Sequence, residues 1–356
     1  MLEIKELLRL IVERGASDLH LTVGRPPQLR IGGHLTHIEN AEVLDPEAVQ
    51  KLAYSLLTSD QITWFETKKE LDFSCGLPEI SRFRVNLFYQ RGSIALAARV
   101  IPFVIPTIEE LKLPVVAKEY ADKPTGLVLI TGATGSGKST TQAAIVDYIN
   151  KNRRAHIISI EDPIEYLHKH NLCTINQRQL GTDTLSFKEA LKHVLRQDPD
   201  IVIIGEMRDL ETIQAALTLA ETGHLVFATL HTGSAVNSIT RIVDVFPAHQ
   251  QQQIRVQLSL VLVGVMVQQL IPNAKGKGRS LAIEVMTVIS GIQNLIRENQ
   301  IHQIYSLIQT GRRYGMYTMN QSLCDLVHSG KITFEEALKH TLDEEELTTL
   351  LQKSKG

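Results

Sequence analysis

Long apolar runs are missing from this chain. The longest, Leu260 to Val267, is eight residues, far below the roughly 20 that a membrane-spanning helix needs. The N-terminal stretch MLEIKELLRLIVERG sets charges among its apolar residues at helical spacing, so it lacks the unbroken apolar core of a signal peptide and is expected to form an amphipathic helix. Cysteine is scarce as well. Cys75, Cys173 and Cys324 stand far apart with no CxxC pair, which argues against a disulfide framework or a zinc cluster and suits a reducing cytoplasm. Neither sign of charge is in excess: the formal net charge is -2 and the pI is near 6.7, so no general pull toward nucleic acid or anionic lipid is expected. Internal repeats are absent, and the run Gln250 to Gln253 is too short to count as low complexity.

What is there reads as a soluble globular protein, 43% hydrophobic and 21% charged. At 356 residues the chain exceeds what one compact core usually accommodates, so two domains are expected. Residues 1–100 alternate helix with short strand-like runs (LHLTV, LRIGG, FRVNLFYQ, IALAARVI), the pattern of a small α+β domain. Pro102, Pro106, Pro114 and Pro124 then point to an extended linker over 101–124. From 125 to 356 apolar strand runs (LVLIT, HIISI, IVIIG, LVFATL) are separated by helical stretches, the form taken by a parallel sheet covered on both faces. Beyond about Ala248 mostly helix is expected, packed on this second domain.

The run GATGSGKST, Gly132 to Thr140, fits the phosphate-binding P-loop pattern, and it follows a strand run and opens a helix, as that chemistry requires. Glycines let the backbone curl so that successive N–H groups face phosphate oxygens, and the helix N-terminus adds partial positive charge. ATP is the expected ligand, held by Thr134, Gly135, Ser136, Gly137, Lys138, Ser139 and Thr140. Lys138 is placed to reach the β- and γ-phosphates, and Ser139 is the hydroxyl expected on Mg²⁺.

Hydrolysis also needs groups that hold the metal and orient a water. In DPDIVIIGEMRD, Glu206 follows a four-residue apolar strand where a Walker B acid belongs, although Gly205 fills the more usual acidic position. In HIISIEDPIEY, Glu161, Asp162 and Glu165 end another strand. Carboxylates at such strand ends face the crevice where open α/β sheets bind ligands. One of them could polarise water, while an Asp before Pro often only shapes a turn. His224 and His231 bracket LVFATL, roughly 23 Å of strand, which is too far for one shared metal ion. His231 lies at the ligand end and could sense the γ-phosphate. Each histidine could equally be structural. Arg82, Arg84, Arg91 and Arg99 crowd two adjacent strand runs. They could supply a neighbouring copy's ATP with the cation that P-loop enzymes often need, and the active form would then be a closed ring.

Together GASDLHL, GATGSGKST, ISIEDPIEY, GEMRD, TGHLVFATLH and VDVFP resemble, in order and over nearly the whole chain, the secretion ATPase superfamily, and within it the PilT-type retraction ATPases of bacterial type IV pili. The resemblance implies a PAS-like N-terminal α+β domain, a RecA-like C-terminal P-loop domain with terminal helices, and a cytoplasmic homohexamer at the inner face of the cytoplasmic membrane. Such a ring would couple ATP hydrolysis to pilin disassembly, with an inner-membrane pilus platform protein and the pilin machinery as partners, without nucleic acid and without inserting into the membrane. It further implies Glu165 as the water-activating carboxylate, Glu206 as the Walker B glutamate on Mg²⁺, His224 and His231 as a histidine pair of the site, Arg84 and Arg99 as the N-terminal arginines, and Arg279 as a further contact to nucleotide. One departure is visible: GIQNLIRE carries Gln293 where the family pattern has arginine. This touches retraction or docking and leaves the ATP motifs intact.

Rival readings are a pilus-extension or type II secretion assembly ATPase, for which a larger N-terminal region and a tetracysteine element are expected, and an accessory retraction ATPase. A RecA-type nucleic-acid translocase would call for a strongly basic channel. A nucleotide-gated assembly component would not need a water-activating acid beside Lys138 and Glu206.

Overall fold

The computed structural model describes residues 3–77, 81–101, 104–276 and 278–353. The chain forms two compact units, Met1–Val104 and Ile105–Gly356. In the first, α1 (Ile4–Glu13) precedes β1 (Asp18–Leu21), β2 (Gln28–Ile31), β3 (His34–His37), α2 (Pro46–Tyr54), α3 (Ser59–Lys68), β4 (Glu70–Leu77), β5 (Ser81–Gln90) and β6 (Ser93–Ile101). The sheet has six strands in the order β3-β2-β1-β6-β5-β4, all antiparallel, which gives the PAS-like α+β layer. The helical spacing at the N-terminus does its work here: Ile4, Leu7, Leu8 and Ile11 of α1 are buried in a core shared with alternate residues of β5, Phe83, Val85 and Leu87. Arg91 and Gly92 form the tight β5–β6 turn, both with positive φ.

The second unit carries α4 (Val116–Ala121), β7 (Gly126–Thr131), α5 (Lys138–Asn152), β8 (His156–Glu161), β9 (Thr174–Gln179), α6 (Phe187–Val194), β10 (Ile201–Ile204), α7 (Leu210–Glu221), β11 (Leu225–Leu230), α8 (Ala235–Asp244), α9 (Ala248–Val261), β12 (Leu262–Pro272) and β13 (Arg279–Thr287). Helices α10 (Ser290–Arg297), α11 (Ile304–Thr310), α12 (Met319–His328), α13 (Phe334–His340) and α14 (Glu344–Lys353) close the chain. Its seven strands run β13-β12-β7-β11-β10-β8-β9, parallel throughout except for the antiparallel β12–β13 edge. This is a RecA-like sheet. The four central strands are those their apolar runs announce, and β7 and β11 are buried at every residue. Among the described residues no helix is long and apolar enough to cross a membrane.

Two expectations change. The stretch 101–124 is not an extended connector throughout. Pro102 lies outside the described residues, but Ile108, Leu113, Val116, Ala117, Tyr120 and Ala121 are buried in the core of the second unit. Pro114 ends one segment and its carbonyl accepts from the Ala117 N–H as α4 begins, a position that tolerates proline because the first turn needs no N–H from it. The region after Ala248 is mostly helical, as expected, but it also holds the long β12–β13 ribbon, which the expectation left out. Gly264 lets β12 pass the ring of Tyr120, because a Cβ there would stand 2.4 Å from it.

Candidate nucleotide site

The loop between β7 and α5 is shaped by its glycines. Gly135 and Gly137 have φ of 80° and 92°, the left-handed region that glycine occupies without a Cβ penalty. Gly132 meets a different demand: a Cβ there would lie 2.3 Å from the Gln268 carbonyl of β12 and 2.6 Å from Ser136 Oγ. Helices α6, α7 and α8 have their first turns capped by Ser186, Asp209 and Ser234. Helix α5 has Gly137 at its N-cap and no side-chain cap, so its leading N–H groups remain free to face an anion. Lys138 donates to the carbonyls of Gly132 at 2.7 Å and Ala133 at 3.0 Å. Burial pulls its pKa below the ordinary lysine range, opposed by the negative charges of Glu206 and Glu165. Thr134 and Gly135 are exposed at the crest, with Ser139 and Thr140 half-buried in the first turn.

Both acidic strand ends stand at this same end of the sheet. Gly205 stands tight against β8: a Cβ there would sit 3.2 Å from both Glu161 Cα and the Ile160 carbonyl, so a side chain would need the strand to give by a few tenths of an ångström. The acid stands one residue later. Glu206 accepts from Arg208 at 2.8 Å and lies 3.3 Å from His231 Nε2. Burial alone would raise the Glu206 pKa, but Arg208 and His231 outweigh it and hold the carboxyl below its ordinary range. On β8, Glu161 turns inward, where burial pushes its pKa up despite the Ser159 hydroxyl at 2.6 Å and the Gln177 amide at 3.2 Å. The Asp162–Pro163 bond is cis. Glu165, further along, keeps its carboxylate exposed.

The structure places His231 against Glu206 but sends His224 to the far end of β11. There its Nδ1 lies 3.0 Å from the Leu219 carbonyl and 3.2 Å from Thr222 Oγ1, fastening the end of α7. Arg279 opens β13 opposite Pro272, where the ribbon runs past Thr131 toward the phosphate end. In the first unit a row crosses the sheet in register from Arg30 through Asp18, Arg99 and Arg84 to Ser74. Arg99 is tied to Asp18 at 2.7 Å, whereas Arg84 is exposed and makes no ion pair among the described residues. Arg82 bonds to Ser74, and Arg91 belongs to the turn, so the four arginines do not act as one group.

Sequence reasoning passed over three residues that the fold brings here. Arg208 carried a signal, a cation two residues from the acid it neutralises. Gln177 and Tyr166 carried none: Gln177 sits in β9, a polar edge strand whose sequence, TINQRQ, lacks an apolar run, and Tyr166 sits in the irregular loop before it.

A RecA-like sheet with this loop and two acidic strand ends defines a P-loop ATPase. The chain belongs to the Type II/IV secretion system protein family, which it matches over residues 3–345. It is 49% identical over 336 residues to the type IV pilus retraction ATPase PilT of Pseudomonas aeruginosa, covering 94% of this chain and 97% of that protein. It is 42% identical to the type IV pilus ATPase PilU of the same organism, over 99% of this chain and 92% of that one. A crystal structure of the pilus retraction motor PilT with bound ADP superposes with a TM-score of 0.93 at 48% identity, covering 98% of this chain and all of that one.

Proposed function

We propose that this ATPase is the retraction motor of a type IV pilus, working as a homohexameric ring at the cytoplasmic face of the inner membrane on a platform protein and the pilin machinery. The observation that carries the reading is the convergence at Lys138, whose ammonium feels both Glu206 and Glu165. One P-loop lysine thus lies in the field of two carboxylates, one just past the end of β10 and one in the loop after β8, and carboxylates near the phosphate site are what hydrolysis needs beyond binding. Near-full-length identity to a retraction ATPase favours retraction over extension. An accessory retraction role is the second reading; the chain is also 42% identical, over 99% of its length, to a type IV pilus ATPase whose name specifies no direction of movement.

In this reading the N–H groups of Gly135 and of Gly137 to Thr140 cradle the phosphates, with the Ser136 N–H bonded to the Ala133 carbonyl, Lys138 neutralises the β- and γ-phosphates, and Arg279 contacts the nucleotide from the β13 edge. Glu165 orients and deprotonates the attacking water. His231 and Arg208 fix the Glu206 carboxylate and keep it ionised. Ser139 and Glu206 suit Mg²⁺, since both offer hard oxygen to an ion that takes its other ligands from phosphate and water. When bound, that ion would neutralise charge developing on the phosphate oxygens. Arg84 is the residue proposed to reach a neighbouring copy's γ-phosphate, with Arg99 held beside it by Asp18.

The test is ATPase rate against protein concentration with mass determination alongside, for wild type and Arg84→Ala. Activity confined to the hexameric mass and lost in the mutant ring is the expected result. Full turnover by a monomer would sink the ring mechanism.

A further inference from the structure

The carboxylate of Glu165 is exposed and makes no hydrogen bond to any described residue. Whatever sets its position must act through the backbone that carries it. Three backbone groups of the loop around it, the Ile164 N–H, the Tyr166 carbonyl and the His168 N–H, are held by side chains of β9. Gln177 uses its whole amide: Nε2 donates to the Tyr166 carbonyl at 2.8 Å and to Glu161 Oε1 at 3.2 Å, and Oε1 accepts the His168 N–H at 2.9 Å. Gln179 Oε1 accepts the Ile164 N–H at 3.4 Å. Residues on both sides of Glu165 are therefore tied to the edge of the sheet. A second tie runs the other way, since the Tyr166 hydroxyl lies 2.9 Å from Thr140 Oγ1, in the turn of α5 that opens the phosphate site.

We propose that Gln177 and Tyr166 are positioning residues for Glu165: Gln177 clasps the loop to β9, and Tyr166 registers it against the first turn of α5. This rests on the reading of Glu165 as the water-activating carboxylate. The geometry calls for such a device because an unbonded, exposed side chain on an irregular loop would otherwise wander, and a displacement of about 1 Å at a reacting group costs up to about a hundredfold in rate. The Gln177 amide can serve because it offers two donors and an acceptor in one plane. A carboxylate at that position would lose both donors and repel Glu161.

The experiment compares single-turnover ATP hydrolysis by the full-length ring for wild type, Tyr166→Phe, Gln177→Glu, Glu165→Gln and the double variant Tyr166→Phe/Glu165→Gln, with ADP affinity by calorimetry and the thermal midpoint beside each. Tyr166→Phe and Gln177→Glu are expected to lower the hydrolysis rate between about ten- and a hundredfold with ADP affinity unmoved. In the Glu165→Gln background Tyr166→Phe is expected to cost nothing further, because two residues acting through one step are not additive. Wild-type rates in both single variants, with Glu165→Gln inactive, would overturn the clasp and leave Glu165 in its role. A Tyr166→Phe loss that persists undiminished in the double variant would overturn it as well, placing the effect elsewhere. Full turnover by Glu165→Gln would remove the water-activating role and the positioning with it. Should Gln177→Glu lose ADP binding altogether, Tyr166→Phe and its double variant decide alone.

Discussion

His224 and His231 cap the two ends of a single strand, and the ends of this sheet differ as sharply as those residues do. At the N-terminal end of β11 the imidazole is spent on the backbone of α7 and holds the fold. At the C-terminal end the same ring faces Glu206, beside a P-loop, a second acidic loop and a helix start with no side-chain cap. The parallel arrangement explains the contrast. Six strands run parallel, so their C-termini, and the N-termini of the helices that follow β7, β9, β10 and β11, lie on one side, where the uncapped start of α5 and the acidic loops gather, while the opposite end holds returns from helix to strand.

The contrast can be pressed hardest at Lys138. Lys138→Ala should reduce ATP hydrolysis by at least about 10²- to 10³-fold, the scale of losing one charged or oriented donor from a reacting centre, with the thermal midpoint little changed in the absence of nucleotide; a rate within tenfold of wild type would contradict the site. The histidine pair gives the direct comparison. His231→Ala removes a hydrogen bond to a charged group and should cost about ten- to a hundredfold in turnover, whereas His224→Ala should leave turnover alone and lower stability by about 1 kcal/mol in urea titration. Reversed effects would mean that the two ends have been misread. Gly205→Ala tests the crowding beside Glu161, with an expected loss of about 1–3 kcal/mol in stability as the Cβ forces β8 and β10 apart.

The gentlest test uses pH. Burial lowers the His168 pKa from 6.5 to about 4, so between those values the unfolded chain holds more of this proton than the folded one. Stability contributed by keeping this ring neutral is present above 6.5 and lost as pH falls toward 4, with a slope of at most about 1.4 kcal/mol per pH unit. His168→Gln should flatten that part of a denaturation profile taken across pH 4 to 6.5. An unchanged slope would show that the ring is not kept neutral by the fold.

The phosphate end was readable from sequence where chemistry demands particular residues in particular order. Gly132 to Thr140, Glu206 and Glu165 each follow an apolar run that can only be a buried strand, and the structure brings all three stretches together. What escaped was held by contacts with no sequence period. Strand β9 lies at an edge and alternates polar residues. The apolar part of β12 directly continues α9, so nothing in its pattern marks the change from helix to strand at Leu262. The prolines before β7 looked like a linker because proline excludes helix interiors, yet Pro114 sits at a helix start, where that exclusion does not apply. The separation of His231 from His224 was legible as distance along a strand, but their different duties depend on Arg208, Glu206 and the turn at Thr222, which sequence spacing does not bring together.

The crowding at Gly205 bears on how this site can change over generations. An acid at that position would need β8 to give by a few tenths of an ångström before any metal could profit from it, so exchanging this glycine would set the sheet against the site. The acid at Glu206, one residue further on, makes no such demand.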